Sequence, residues 1–207
     1  MQAKELIVAI SGASGFSYAL RLVECLLGAG VRVHLLVSDA AREVSRLEMD
    51  WPLPEGHEPL KQALVERLAL SESHARNLCL YDKRDWTSPV ASGSAPIDGM
   101  IICPCSTGTL AAVANGMSTN LIERAATVCL KEHRRMVIVP RETPVSAIQL
   151  EHMHKLAQLG VRVLPASPGF YHKPESVDDL IDFIVARILQ QVDLPQDLIK
   201  PWGSQHS

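Results

Sequence analysis

Apolar positions in this chain follow two periods. Short apolar runs at Leu6–Ile10, Met100–Cys103 and Met136–Val139 each lead into small, polar or ionic residues, and Val31–Val37 and Val161–Leu164 are two further strand-length segments. Runs of that length between turn residues predict strands. Between the runs the spacing is helical. Tyr18, Leu22, Cys25 and Leu26 share one face of a helix over about 17–27, which Gly28-Ala29-Gly30 ends. Asp39–Glu48 reads as a short helix opened by Ser38 or Asp39 as N-cap. Further helices are predicted around Gly108–Ala114, over Asn120–Leu130 and over Ser146–Leu159, which Gly160 closes. A last helix over Val177–Val192 carries Leu180, Ile184, Ile188 and Val192 on one stripe.

Strands and helices in regular alternation predict an α/β chain with a doubly wound parallel sheet, and 207 residues suit a single domain, 1–207. Two stretches stand outside the alternation. Residues 51–96 carry Pro52, Pro54 and Pro59, one predicted helix near Leu60–Leu70, and a Pro/Ala/Ser/Gly segment from Ser88 to Pro96. They are expected to form a long excursion across the strand ends. The tail, 195–207, holds Trp202 among few other apolar residues. Such a tryptophan either packs on protein or belongs to a mobile C-terminal lid that closes over a ligand.

Composition narrows the partners. A formal net charge of −3 without a basic stripe gives no reason to expect nucleic acid or a membrane surface. The apolar runs are too short to span a bilayer, and the N-terminus lacks the pattern of a signal peptide, so a cytoplasmic protein is expected. Cysteines 25, 79, 103, 105 and 129 impose no disulfide framework, which suits a reducing compartment. Cys103-Pro104-Cys105 lacks the two-residue spacer of zinc and thioredoxin motifs; Cys103 is expected in the core, and no metal is expected. The histidines form no H-x-x-x-H pair, and no Gly-x-Ser-x-Gly elbow is present.

Candidate chemistry therefore falls to the loops at the carboxyl ends of the strands, where parallel sheets bind ligands. Ser11-Gly12-Ala13-Ser14-Gly15 lacks the full dinucleotide fingerprint and the Walker lysine, yet lets a ligand approach N–H groups at a helix N-terminus. A plain tight turn would use the same glycines. Ser106-Thr107-Gly108-Thr109 offers three hydroxyls where a helix cap needs one, and with no lysine following it suits a monophosphate better than a triphosphate. Pro140-Arg141-Glu142 sets a phosphate or carbonyl clamp beside a candidate acid or base, or else a structural ion pair. Arg124 and Lys131 fall on the same side of one helix. Tyr171 lies on a proline-bounded turn, and Glu48 reads as a solvated helix residue.

Taken in order, Ser11–Gly15, Cys103–Thr109, Asn120–Ala126, Val139–Glu142 and Pro165–His172, with Pro195–Leu198 and Trp202-Gly203, resemble the UbiX-type flavin prenyltransferases over nearly the whole chain. The resemblance implies a Rossmann-like fold of the flavin-binding cysteine-decarboxylase superfamily. It implies that dimethylallyl monophosphate alkylates reduced FMN at N5 and C6 without a metal, releasing phosphate. Prenylated FMN would then pass to a UbiD-type decarboxylase, often in ubiquinone synthesis. A homo-dodecamer with the site between subunits is implied as well.

Carried over by position, Gly12, Ala13, Ser14, Ser38, Ser106, Thr107, Gly108, Thr109 and Arg141 would hold FMN, with Ser14 also relaying a proton near N5. Lys131, Tyr171 and Arg187 would bind the dimethylallyl phosphate, Arg124 would support that pocket from a neighbouring subunit, and Trp202 would help close it. Glu142 would protonate the departing phosphate and Glu48 would take part in proton removal. Two rival readings remain: an FMN-dependent decarboxylase, disfavoured because Ala40–Glu48 holds no histidine base, and a non-catalytic flavin carrier, for which the ionic residues are more than storage requires.

Overall fold

The structure, a computed structural model, describes residues 4–200. Six parallel strands form one sheet: β1 (Glu5–Ile10), β2 (Arg32–Val37), β3 (Leu78–Leu80), β4 (Gly99–Cys105), β5 (Arg135–Pro140) and β6 (Arg162–Val163). Their order across the sheet is β3-β2-β1-β4-β5-β6. The sequence of connections across the sheet therefore switches sides between β1 and β4, the place where open α/β sheets bind their ligands.

Among the described residues eight α-helices flank the sheet: α1 (Phe16–Gly28), α2 (Asp39–Met49), α3 (His57–Arg67), α4 (Glu72–Asn77), α5 (Thr107–Ala114), α6 (Leu121–Lys131), α7 (Ala147–Gln158) and α8 (Val177–Gln191). The alternation of side chains along β1 shows how the layers are built. Leu6, Val8 and Ile10 face a core made with Leu22 and Leu26 of α1 and Ile184 and Ile188 of α8. Ile7 and Ala9 face the opposite core, with Leu110 of α5, Leu121 and Ala125 of α6 and Leu156 of α7. Both faces of β1 are thus covered, which is why its sequence lacks polar alternation.

Most boundaries lie within a residue or two of those predicted, and the caps explain several of them. Ser38 accepts the Ala41 N–H at 3.0 Å, Asn120 that of Glu123, and Ser146 closes a reciprocal capping box with Gln149. On the α8 stripe Ile184, Ile188 and Val192 are buried and Leu180 is half-buried. Cys103 and Cys105 are fully buried in β4, and burial pushes both thiols up.

Residues 51–96 differ from expectation. The helix expected near Leu60–Leu70 is present as α3, but the stretch also contains α4, the edge strand β3 and a 3-10 turn at Pro89–Ala91, so it is not only an excursion across the strand ends. β3 pairs with β2 in the register Val33↔Leu78 to Leu35↔Leu80. Trp51 anchors the start of this stretch: Ser45 Oγ donates to its carbonyl at 2.8 Å, its ring meets Phe16 edge-on, and Arg67 lies over it. Trp202, Gly203 and the end of the expected lid lie outside the described residues. Among the described residues no helix is long and apolar enough to cross a membrane.

Candidate functional site

The loops that follow β1, β2, β4 and β5 all leave the same end of the sheet, and three long-range hydrogen bonds lock the first and third together. Ser11, 1% exposed, donates its Oγ hydrogen to the Pro104 carbonyl at 3.0 Å and accepts the Ser106 N–H at 2.8 Å. Its own N–H donates to the same Pro104 carbonyl at 3.2 Å. Ser106 in turn caps α5, accepting the Thr109 N–H at 3.3 Å and donating to the Thr109 hydroxyl at 3.0 Å. The first turn of a helix has N–H groups without intrahelical partners. Here the cap takes that of Thr109 and leaves those of Thr107 and Gly108 for a ligand.

The start of α1 is arranged differently. Gly15, at φ +106°, turns the chain into the helix, and the Glu48 carboxylate from α2 accepts the Gly15 N–H at 3.0 and 3.1 Å and the Phe16 N–H at 3.1 Å. Glu48 is exposed, as expected, but it is a clasp between α2 and α1 and not merely a solvated residue. Its charge stands where the dipole of α1 favours an anion. The first loop therefore does not offer these helix-start donors to a ligand while Glu48 holds them.

Gly12 allows α2 to come close: a Cβ there would stand 2.3 Å from Ala40 Cβ. Neither atom is at the end of a flexible side chain, so Gly12→Val is expected to destabilise the fold by about 1–3 kcal/mol, the ordinary cost of overpacking. Urea unfolding monitored by circular dichroism measures it, and an unchanged midpoint would contradict this close packing.

Ser38 and Thr109 meet at a cavity of about 170 Å³ with walls of Leu36, Val37, Leu121 and Ile122, and with Tyr81 and the Lys83–Asp39 ion pair also on its lining. Tyr81 is bonded to the buried His34 in a part-buried polar group. His34 bonds the Tyr81 hydroxyl at 2.8 Å through Nδ1 and Glu5 at 2.9 Å through Nε2. Burial pushes His34 down against the opposing pull of Glu5 and pushes the Tyr81 phenol up to about 12.

At the end of β5, Arg141 presents a feature that calls for a partner: its Nε is buried and makes no hydrogen bond. Tyr18 of α1 is nearby. Burial raises its phenol, Cys103 adds to the rise, and the Arg141 guanidinium opposes it. The Tyr18 ring also covers Gly15, where a Cβ would lie 2.6 Å from it. Sequence reasoning passed over Tyr18 as one member of an apolar helix face; nothing in its spacing marked it. Glu142 is half-buried and accepts the Thr143 N–H at 3.0 Å.

Other expected residues stand apart within one chain. Lys131 ends α6, just before β5 begins, at the opposite end of the sheet from Ser14 and Glu142, and is ion-paired with Glu132. Arg124 donates from Nε to the Ala91 carbonyl at 3.1 Å. Tyr171 packs edge-on against Phe183 at 5.9 Å, and Arg187, one turn further along α8, bonds Gln190 at 2.7 Å. Tyr171 and Arg187 thus belong to one patch beside β6.

The Flavoprotein family model matches residues 1–189. The chain is 49% identical over 203 residues to flavin prenyltransferase UbiX of Pseudomonas aeruginosa, an alignment spanning 98% of this chain and 96% of that protein. A crystal structure of a UbiX protein (PadA1) in complex with FMN and dimethylallyl pyrophosphate superposes with a TM-score of 0.85 at 35% identity, covering 98% of this chain and 99% of that one. A dodecameric FMN-dependent UbiX-like decarboxylase from Escherichia coli O157:H7 gives 0.81 at 36% identity, covering 93% and 96%.

Proposed function

This chain belongs to the flavoprotein family and, within it, to the UbiX flavin prenyltransferases, and on that premise we propose that it transfers the dimethylallyl group of dimethylallyl monophosphate to N5 and C6 of reduced FMN. The product would serve a UbiD-type decarboxylase. The observation that carries the reading is the buried, unpartnered Nε of Arg141 at the carboxyl end of β5. A desolvated guanidinium N–H without an acceptor costs the free protein stability and suits it to an anionic or carbonyl ligand.

The residues fit the cofactor. Gly12, Ala13 and Ser14 would hold it from the first loop, Ser106, Thr107, Gly108 and Thr109 from the third, Ser38 from the cap of α2, and Arg141 from the end of β5. The cavity that Ser38 and Thr109 share has hydroxyl donors for a phosphate tail and apolar walls beside them. When bound, reduced FMN supplies the electron-rich nitrogen and carbon that are alkylated.

The protein's part is to make phosphate leave. Arg141, with Lys131 and Arg187, concentrates positive charge on the phosphate oxygens as the allylic C–O bond stretches. Glu142 holds a proton for the departing oxygen, Ser14 relays the proton at N5, and Glu48 takes part in removing the one at C6. Because Lys131 ends α6 at the far side of the chain, its share in this work requires it to come from a neighbouring subunit, as do the supporting Arg124 and an assembly such as a dodecamer. Tyr171 would bind the dimethylallyl phosphate, and Trp202 would close over the site.

The test mixes the protein, FMN, dithionite and dimethylallyl monophosphate without oxygen and weighs the extracted flavin. A flavin heavier by one five-carbon unit, with an equivalent of phosphate, is expected. An unchanged flavin would sink the transferase reading and leave a carrier. Carbon dioxide released from a phenolic acid would instead favour the decarboxylase.

A further inference from the structure

We propose that Ser11, which has no role in the reaction as described so far, is a positioning residue that sets the phosphate-binding geometry of the loop after β4. The inference rests on the flavin-binding reading above. Ser11 directly follows β1, beside the neighbouring strand β4 at the point where the order of connections across the sheet switches sides. Its hydroxyl spans that gap, donating to Pro104 at 3.0 Å and accepting the Ser106 N–H at 2.8 Å.

Both bonds bear on how α5 begins. By engaging the Ser106 N–H, Ser11 fixes the backbone of the residue that caps the helix. Ser106 can then direct its own side chain to Thr109. The N–H groups of Thr107 and Gly108 are left facing the ligand side with no internal partner, as an anion site at a helix start requires. At α1 the equivalent position is taken by Glu48, which accepts the Gly15 and Phe16 N–H groups. Two anions at one helix end repel, so the flavin phosphate is directed to α5, and Ser11 is the side chain that holds α5 in place for it.

Removing the hydroxyl leaves the part-buried Ser106 N–H without its acceptor. The loop then relaxes in the free protein to reach water, and a phosphate must restore it on binding. A ligand without phosphate does not use the site and is not penalised. The experiment compares FMN with riboflavin by fluorescence quenching, in wild type, Ser11→Ala and Ser11→Thr, each first shown to be folded by circular dichroism. For Ser11→Ala the FMN dissociation constant is expected to rise about tenfold, equivalent to about 1.4 kcal/mol, with riboflavin affinity unchanged. Ser11→Thr, which keeps the hydroxyl, is expected to restore FMN binding.

Equal loss of both flavins in Ser11→Ala, or no loss of either, would overturn the inference while leaving the functional reading intact. Wild-type protein that binds neither flavin would overturn the functional reading itself. If the alanine protein does not fold, Ser11→Cys, similar in shape but a weak donor and acceptor, serves in the same comparison.

Discussion

Glu142→Gln is expected to bind FMN as wild type does and to transfer the prenyl group about 10²–10⁴-fold more slowly, the range a positioned general acid contributes. The substitution is close to isosteric. Its amide oxygen can still accept the Thr143 N–H that the carboxylate accepts at 3.0 Å, so the turn after β5 keeps its shape. The neighbouring bond from the Thr143 hydroxyl to the Glu142 carbonyl involves only backbone on the glutamate side and is also kept. What disappears is a transferable proton. The loss should therefore depend on the leaving group. A phosphate monoester leaves as a basic anion and needs protonation, whereas a diphosphate leaves more readily without it. Single-turnover assays with dimethylallyl monophosphate and diphosphate, following phosphate or pyrophosphate release together with flavin mass, measure this. A large loss with the first and a smaller one with the second is expected. A rate within about threefold of wild type for both, against the 10²-fold minimum expected of an acid, would remove Glu142 from that role.

The parts of this molecule that were legible in its sequence are those whose cause is local. β1, β4 and β5 are covered on both faces, so each reads as a continuous apolar run. Ser38, Asn120 and Ser146 mark helix starts because a cap acts within three residues. β3 was not legible: Leu78-Cys79-Leu80 is a three-residue edge strand whose identity comes from pairing with β2, more than forty positions earlier. α4 has only six residues and a single cap at Ser71 to announce it. In the site, the hydroxyl-rich loop at Ser106–Thr109 was visible from composition. The Ser11 bridge spans 93 and 95 positions and the Glu48 clasp 32 and 33, and no pattern in a window can show either. The separation of Lys131 from Glu142 was hidden for the converse reason. Eleven positions look close along the chain, but Lys131 lies before the start of β5 and Glu142 after its end, at opposite ends of the strand.

Arg141→Met should separate stability from function in opposite directions. The side chains are of comparable length, and the methionine thioether fills the space of a buried Nε without needing an acceptor. A buried polar group left unsatisfied costs about 1–3 kcal/mol, so ligand-free Arg141→Met is expected to unfold at the same temperature as wild type or a higher one. Its backbone N–H bond to the Cys105 carbonyl, at 3.4 Å, does not depend on the side chain. Turnover, by contrast, is expected to fall, because the charge proposed to face the departing phosphate is lost, and removal of one such electrostatic group costs about 10²–10³-fold in rate. The stabilisation conferred by FMN should shrink too: each tenfold loss of affinity removes about 1.4 kcal/mol from the ligand-induced term at saturating cofactor. Arg141→Lys, which keeps a charge but not the planar fork, is expected to fall between the two. Differential scanning calorimetry with and without FMN, paired with the anaerobic mass assay, gives both quantities on the same preparations. A variant that melts well below wild type yet retains its rate would make Arg141 a structural residue and leave its unpartnered Nε without a functional explanation.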